Sequence, residues 1–164
     1  MAADQAGEVF AEYVKEQIDL EDRRRASLET RGSGVITLSG TLVTLLFAIS
    51  AVATRSPSFV LAGGLKQRLI WSLVAFAVSS LIAIGTLVPL ALHTVDAAQL
   101  APEVRKRWDG GVDDARKAIA ATRISDLASL QRVNTVKSML LVAAVTVQVA
   151  AVLLLVWSVT GLLS

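Results

Sequence analysis

Three stretches of this chain contain no Asp, Glu, Lys or Arg: Gly32 to Thr54 (GSGVITLSGTLVTLLFAISAVAT), Leu69 to Val95, and Ser138 to Ser164. A helix rising ~1.5 Å per residue needs roughly 18 to 20 apolar residues to cross a bilayer, and each run exceeds that length. The expected fold is therefore an all-α integral membrane protein with three transmembrane helices. The remaining charge must be segregated from these runs, because the chain is 54% apolar yet 18% charged, with a mean hydropathy of +0.60.

The segmentation that follows is residues 1–31 as a polar helix, 32–54 as the first span, 55–68 as a loop, 69–95 as the second span, 96–137 as a polar helical segment and 138–164 as the third span. No secretory leader is expected, since some thirty polar residues precede the first apolar run. The first polar segment has eight acids and five bases, and the second has six acids and eight bases. Together they hold 13 of the 16 bases, against three in the 55–68 loop. Lys and Arg are retained on the cytoplasmic side of short loops. The reading places the N-terminus and residues 96–137 in the cytoplasm and makes the chain a multi-pass membrane protein.

Glu8 to Arg31 has no Pro or Gly, and Val9, Phe10, Tyr13, Val14, Gln17 and Ile18 recur at helical spacing. Lys15/Asp19, Asp19/Arg23 and Glu21/Arg25 stand four apart and can pair along its surface, each for about 0.2–0.5 kcal/mol. The pattern runs into the first span past Gly32 and Gly34, so one rod is expected to reach about 36 Å beyond the membrane. A second rod is expected from Val112 to Ser158, capped by Asp109, with Asp113 and Asp114 in its first turn and a modest interaction face of Leu127, Leu130, Gln131 and Asn134. The first and third spans are thus extended into the cytoplasm as long helices. Pro57 and the Gly63-Gly64 pair read as a turn, and Pro89 as a kink near the end of the second span.

Ser33, Thr37, Gly40, Thr44, Ala48 and Ala51 follow one another at three- and four-residue steps along the first span, a stripe of small and hydroxyl side chains. Ala75, Ser79 and Ala83 do so in the second. Such stripes let membrane helices approach closely. The partner is either another span of the same chain or the same stripe of a second subunit. Gln148, deep in the third span, reads as interhelical glue or as a pore-lining amide.

Arg23, Arg24, Arg25 and Arg31 are candidate contacts for lipid phosphates or a bound anion, and Arg105, Lys106 and Arg107 beside Trp108 are a second candidate anchor. The absence of cysteine and a solitary His93 argue against a metal centre. No span carries an ionisable side chain of the kind that forms a proton relay. His93 and Asp96 lack a nucleophile, and the glycine pairs lack the surroundings of a phosphate loop. The chain is read as a non-enzyme with no cofactor and no nucleic-acid partner.

The segment EDRRRASLETRGSGVITLSGTLVTLLFA, Glu21 to Ala48, resembles the entry to the first span in small bacterial antiphage membrane effectors, among them the Pycsar transmembrane effectors. RVNTVKSMLL, Arg132 to Leu141, is similar to the entry to their last span. This chain has three spans where two are common in such effectors. The resemblance implies a homo-oligomer that responds to a cyclic nucleotide or another infection signal and impairs the inner membrane. The competing expectation is a scaffold or accessory subunit that holds a cytoplasmic protein partner at the membrane.

Overall fold

The computed structural model describes residues 2–54, 63–89, 102 and 111–163. They form three long helices: α1, Ala2–Thr54; α2, Gly63–Leu87; and α3, Val112–Leu163. No strand occurs among the described residues. Each helix contains a segment long and apolar enough to cross a membrane: Gly7–Ala48, Lys66–Leu87 and Val112–Ser158.

α1 passes through Gly32 and Gly34 without a break, as expected for glycines inside an otherwise strong helix former. No described glycine has a positive φ, so Gly32 acts through its missing side chain rather than through backbone freedom. α2 starts at Gly63, which makes Lys66 and Arg68 helical rather than part of the expected loop. It closes at Leu87, with Val88 still donating to the Ile84 carbonyl at 3.2 Å. Pro89, which has no amide proton to continue the ladder, stands just past the end of this helix, and whether it kinks a longer span rests on residues outside those described. Leu90 to Val95, the rest of the expected second span, lies outside the described residues.

α3 begins where its pattern predicted, with Asp113 and Asp114 in the first turn. The carbonyl that receives the first amides is that of Gly111, from Asp114 at 3.1 Å and Ala115 at 3.2 Å. Gly111 thus occupies the capping position assigned to Asp109 by sequence, and Asp109 itself lies outside the described residues.

The chain divides into two compact units. Unit one comprises Met1–Ser27 and Pro89–Val136. Its buried residues include Leu130, Val133 and Asn134 of α3, while Val14, Gln17, Ile18 and Glu21 of α1 are half-buried. Val9, Phe10 and Tyr13, expected to share that apolar face, are exposed.

Unit two comprises Leu28–Val88 and Lys137–Ser164. Two apolar clusters hold it: Leu28, Val35, Ala83, Leu141 and Ala144 in one, and Leu46, Phe76 and Ala151 in the other. α1 lies tight against α2 at Gly32. A Cβ added at Gly32 would collide with Thr86 Oγ1 and lie 3.2 Å from Thr86 Cβ. Gly85 plays a similar part toward α3, where an added Cβ would meet Leu140 at 3.1 Å.

Candidate functional site

The buried positions of unit two repeat at alternating three- and four-residue steps on all three helices. They are Leu28, Gly32, Val35, Ser39 and Leu46 on α1; Ser72, Phe76, Ser79, Ala83 and Thr86 on α2; Lys137, Leu141, Ala144, Gln148, Ala151 and Ser158 on α3. This is the seam spacing of helices that pack knobs into holes. What fills the seam is unusual for water and apt for lipid: half of it is polar or glycine, while Leu38, Leu45, Phe47, Ile70, Leu81, Ile84, Met139 and Leu153 point outward.

Two seam hydroxyls tie α2 to α3. Ser79 donates to the Ala144 carbonyl at 2.8 Å and Ser72 to the Ala151 carbonyl at 3.1 Å. Thr86 turns back to Ala83 of its own helix at 2.7 Å. Ser39 lies one turn beyond Val35, and Gln148 one turn beyond Ala144, so both fall between the two apolar clusters. Ser39 Oγ and Gln148 Nε2 are buried and find no hydrogen-bond partner among the described residues. A buried polar atom without a partner is costly in apolar surroundings. The seam therefore carries its own weak point at mid-span.

The polar end of unit two is closed by an ion pair. Lys137 Nζ donates to Glu29 Oε1 at 2.6 Å, with the lysine side chain fully buried. In unit one, Asn134 donates from Nδ2 to both the backbone carbonyl and Oε2 of Glu21, each at 2.8 Å. Arg116 and Glu8 stand 3.9 Å apart in the same unit. Each of these contacts joins α1 to α3, and within unit one the order Glu8–Arg116 then Glu21–Asn134 makes the two helices parallel. Asn134 was legible as an interaction residue, but Lys137 and Glu29 were not. Their signal is positional: Lys137 falls on the same three-and-four spacing as Leu130, Asn134, Leu141 and Ala144.

The small-residue stripe of α1 takes no part in this packing. Ser33, Thr37, Gly40, Thr44, Ala48 and Ala51 are all exposed, and a Cβ at Gly40 would meet nothing within 4 Å. Thr37 donates to the Ser33 carbonyl at 3.0 Å and Thr44 to the Gly40 carbonyl at 2.9 Å, so the hydroxyls are satisfied along their own helix. Among the described residues no other span of the chain covers the stripe. The neighbouring face of Gly32, Val35 and Ser39 makes the contact within the chain. On α2 the expected stripe does pack: Ser79 and Ala83 are buried and Ala75 is half-buried.

Arg23, Arg24 and Arg31 are exposed and Arg25 is half-buried. Glu21 reaches Arg24, three residues on, at 3.6 Å. Arg105, Lys106, Arg107, Trp108, His93 and Asp96 lie outside the described residues. The described side chains are thus arranged to hold helices together and to leave two faces exposed, one of Ser33, Thr37, Gly40, Thr44 and Ala48 and one of Val9, Phe10 and Tyr13. No protein-family model, curated protein or solved structure matches this chain.

Proposed function

We propose that this protein is an oligomeric inner-membrane effector of bacteria, inserted by three spans with its N-terminus in the cytoplasm, which impairs membrane integrity in antiphage defence. The observation that carries the assembly is the free small-residue face of α1. Its Thr37 and Thr44 hydroxyls are already bonded, and the space over Gly40 is open. A flat face of this kind gains van der Waals contact from a second helix that lipid tails fit less closely. The outward Leu, Ile and Phe side chains of unit two and its polar seam support insertion, and the 13 bases of the two polar segments support the orientation.

Impairment of the membrane follows from the seam. Ser39, Ser72, Ser79, Gln148 and Ser158 give unit two a hydroxyl- and amide-lined interior, and the two orphaned atoms at mid-span gain hydration if the helices part. The likeness of Glu21–Ala48 to antiphage effectors supports a cyclic nucleotide or similar signal as the trigger. A membrane-potential dye tests the reading. Triggered or overexpressed protein depolarises cells and leaks ions from liposomes, and Gly40→Leu abolishes both effects. Protein that inserts and oligomerises but leaves the potential intact contradicts it.

A second reading is favoured by the exposed Val9, Phe10 and Tyr13 of unit one. They are an apolar patch on an otherwise charged helix, suited to a cytoplasmic protein partner. A scaffold of this type is silent in liposomes and loses its partner when Phe10 and Tyr13 are replaced by Ser.

A further inference from the structure

Unit two carries a groove of 370 Å³ on its outer surface, between α2 and α3. Val74, Ala75, Val78, Val147 and Leu154 line it, and Arg68 and Trp71 stand at one end. Arg68 is held there by a second tryptophan, its guanidinium carbon 4.4 Å from the centre of the Trp157 ring. Stacked in this way, a guanidinium keeps its edge and its donors free for a planar or tetrahedral anion. The apolar lining cannot use such an anion; only the mouth can.

The charge around the mouth decides what comes to it. Between Gly32 and Val95, and again between Ser138 and Ser164, the sequence has no Asp or Glu, yet Arg55, Lys66 and Arg68 fall in the first of these stretches. Among the described residues no carboxylate pairs with Arg68. Two tryptophans beside a base at the end of an apolar helix pair are the arrangement that sits at headgroup depth. We infer that this groove is a binding site for one anionic phospholipid, with an acyl chain along Val74, Val78, Val147 and Leu154 and the phosphate on Arg68. The inference rests on the insertion of α2 and α3 in a bilayer and is independent of the effector activity.

Lipid carry-over in native mass spectrometry tests it on the full-length chain, purified in detergent and exposed to phosphatidylglycerol or phosphatidylcholine. The wild type is expected to retain one phosphatidylglycerol per chain at least tenfold more than phosphatidylcholine. Arg68→Ala removes that preference and Arg68→Lys restores part of it. Val78→Trp, which fills the groove and leaves Arg68 in place, lowers retention of both lipids. Circular dichroism separates lost binding from lost fold, and recovery in the membrane fraction separates failure of this site from failure of insertion. Equal retention of the two lipids by the wild type, or unchanged retention in both Arg68→Ala and Val78→Trp, means ordinary annular contact only and overturns the site.

Discussion

Lys137 Nζ lies 2.6 Å from Glu29 Oε1, and the two partners differ in their surroundings: the lysine side chain is 0% exposed and the glutamate 35%. The acid already meets water, whereas the base does not. The pair joins residues 108 apart in sequence. It is the charged stopper on an otherwise uncharged seam.

This asymmetry predicts unequal mutant costs. Glu29→Ala strands a buried ammonium and is expected to cost ~3–5 kcal/mol. Lys137→Met keeps the length of the side chain and leaves a carboxylate that hydrates, so the expected cost is below about 1 kcal/mol. Denaturant titration in detergent micelles measures both. Equal costs, or a larger loss for Lys137→Met, contradict the burial of the lysine.

Gly32 and Gly40 predict opposite outcomes for the same substitution. Gly32→Ala drives a methyl group into Thr86 and is expected to lower stability by ~1–3 kcal/mol. Thr86→Ala in the same chain removes the colliding hydroxyl and recovers part of the loss. Gly40→Ala meets nothing and raises helix propensity, so it is neutral or slightly stabilising. Thermal unfolding of the three variants beside the wild type decides the matter, and it fails if Gly32→Ala is tolerated as well as Gly40→Ala.

The two serines that bridge α2 to α3 should behave as independent ties. Ser72→Ala and Ser79→Ala each remove one bond to a backbone carbonyl, with an expected loss of ~0.6 kcal/mol and at most about 2. They act on different carbonyls two helical turns apart, so the double variant should lose the sum. Marked non-additivity in the unfolding free energies would show that the seam moves as one piece.

Orientation is checked by single cysteines at exposed helical positions, made possible by the absence of native cysteine. Lys66→Cys is expected to react with an impermeant maleimide in intact cells, and Asp114→Cys only after permeabilisation. Labelling at position 114 from outside reverses the proposed topology.

The helices were legible because the membrane-crossing signal is length without charge, which needs no knowledge of what each face touches. The inside face was not legible. Gly32 and Ser39 lie one position before Ser33 and Gly40 of the stripe, and successive residues on a helix point about 100° apart. Both rows contain small residues, so size alone does not sort them. Hydrophobicity misleads further, because the buried seam holds Ser39, Ser72, Ser79 and Gln148 while Leu38, Leu45 and Ile84 face out. Glu29 and Lys137 each read singly as a boundary charge, and only the packing of α1 on α3 makes them a pair. Pro89 was legible as a disruption, and the described helix stops two residues before it.

The central claim is assembly through the free face of α1, and the mass of the protein in lipid nanodiscs tests it most directly. Gly40→Leu adds bulk where the protomer has open space, so the fold is expected to be unchanged by circular dichroism and thermal unfolding. The account predicts a wild type of two or more chains per particle and a Gly40→Leu variant reduced to a smaller assembly, with Leu45→Ala, on another exposed face, matching the wild type. A wild type that is a single chain per particle, or a Gly40→Leu variant of undiminished mass, contradicts it.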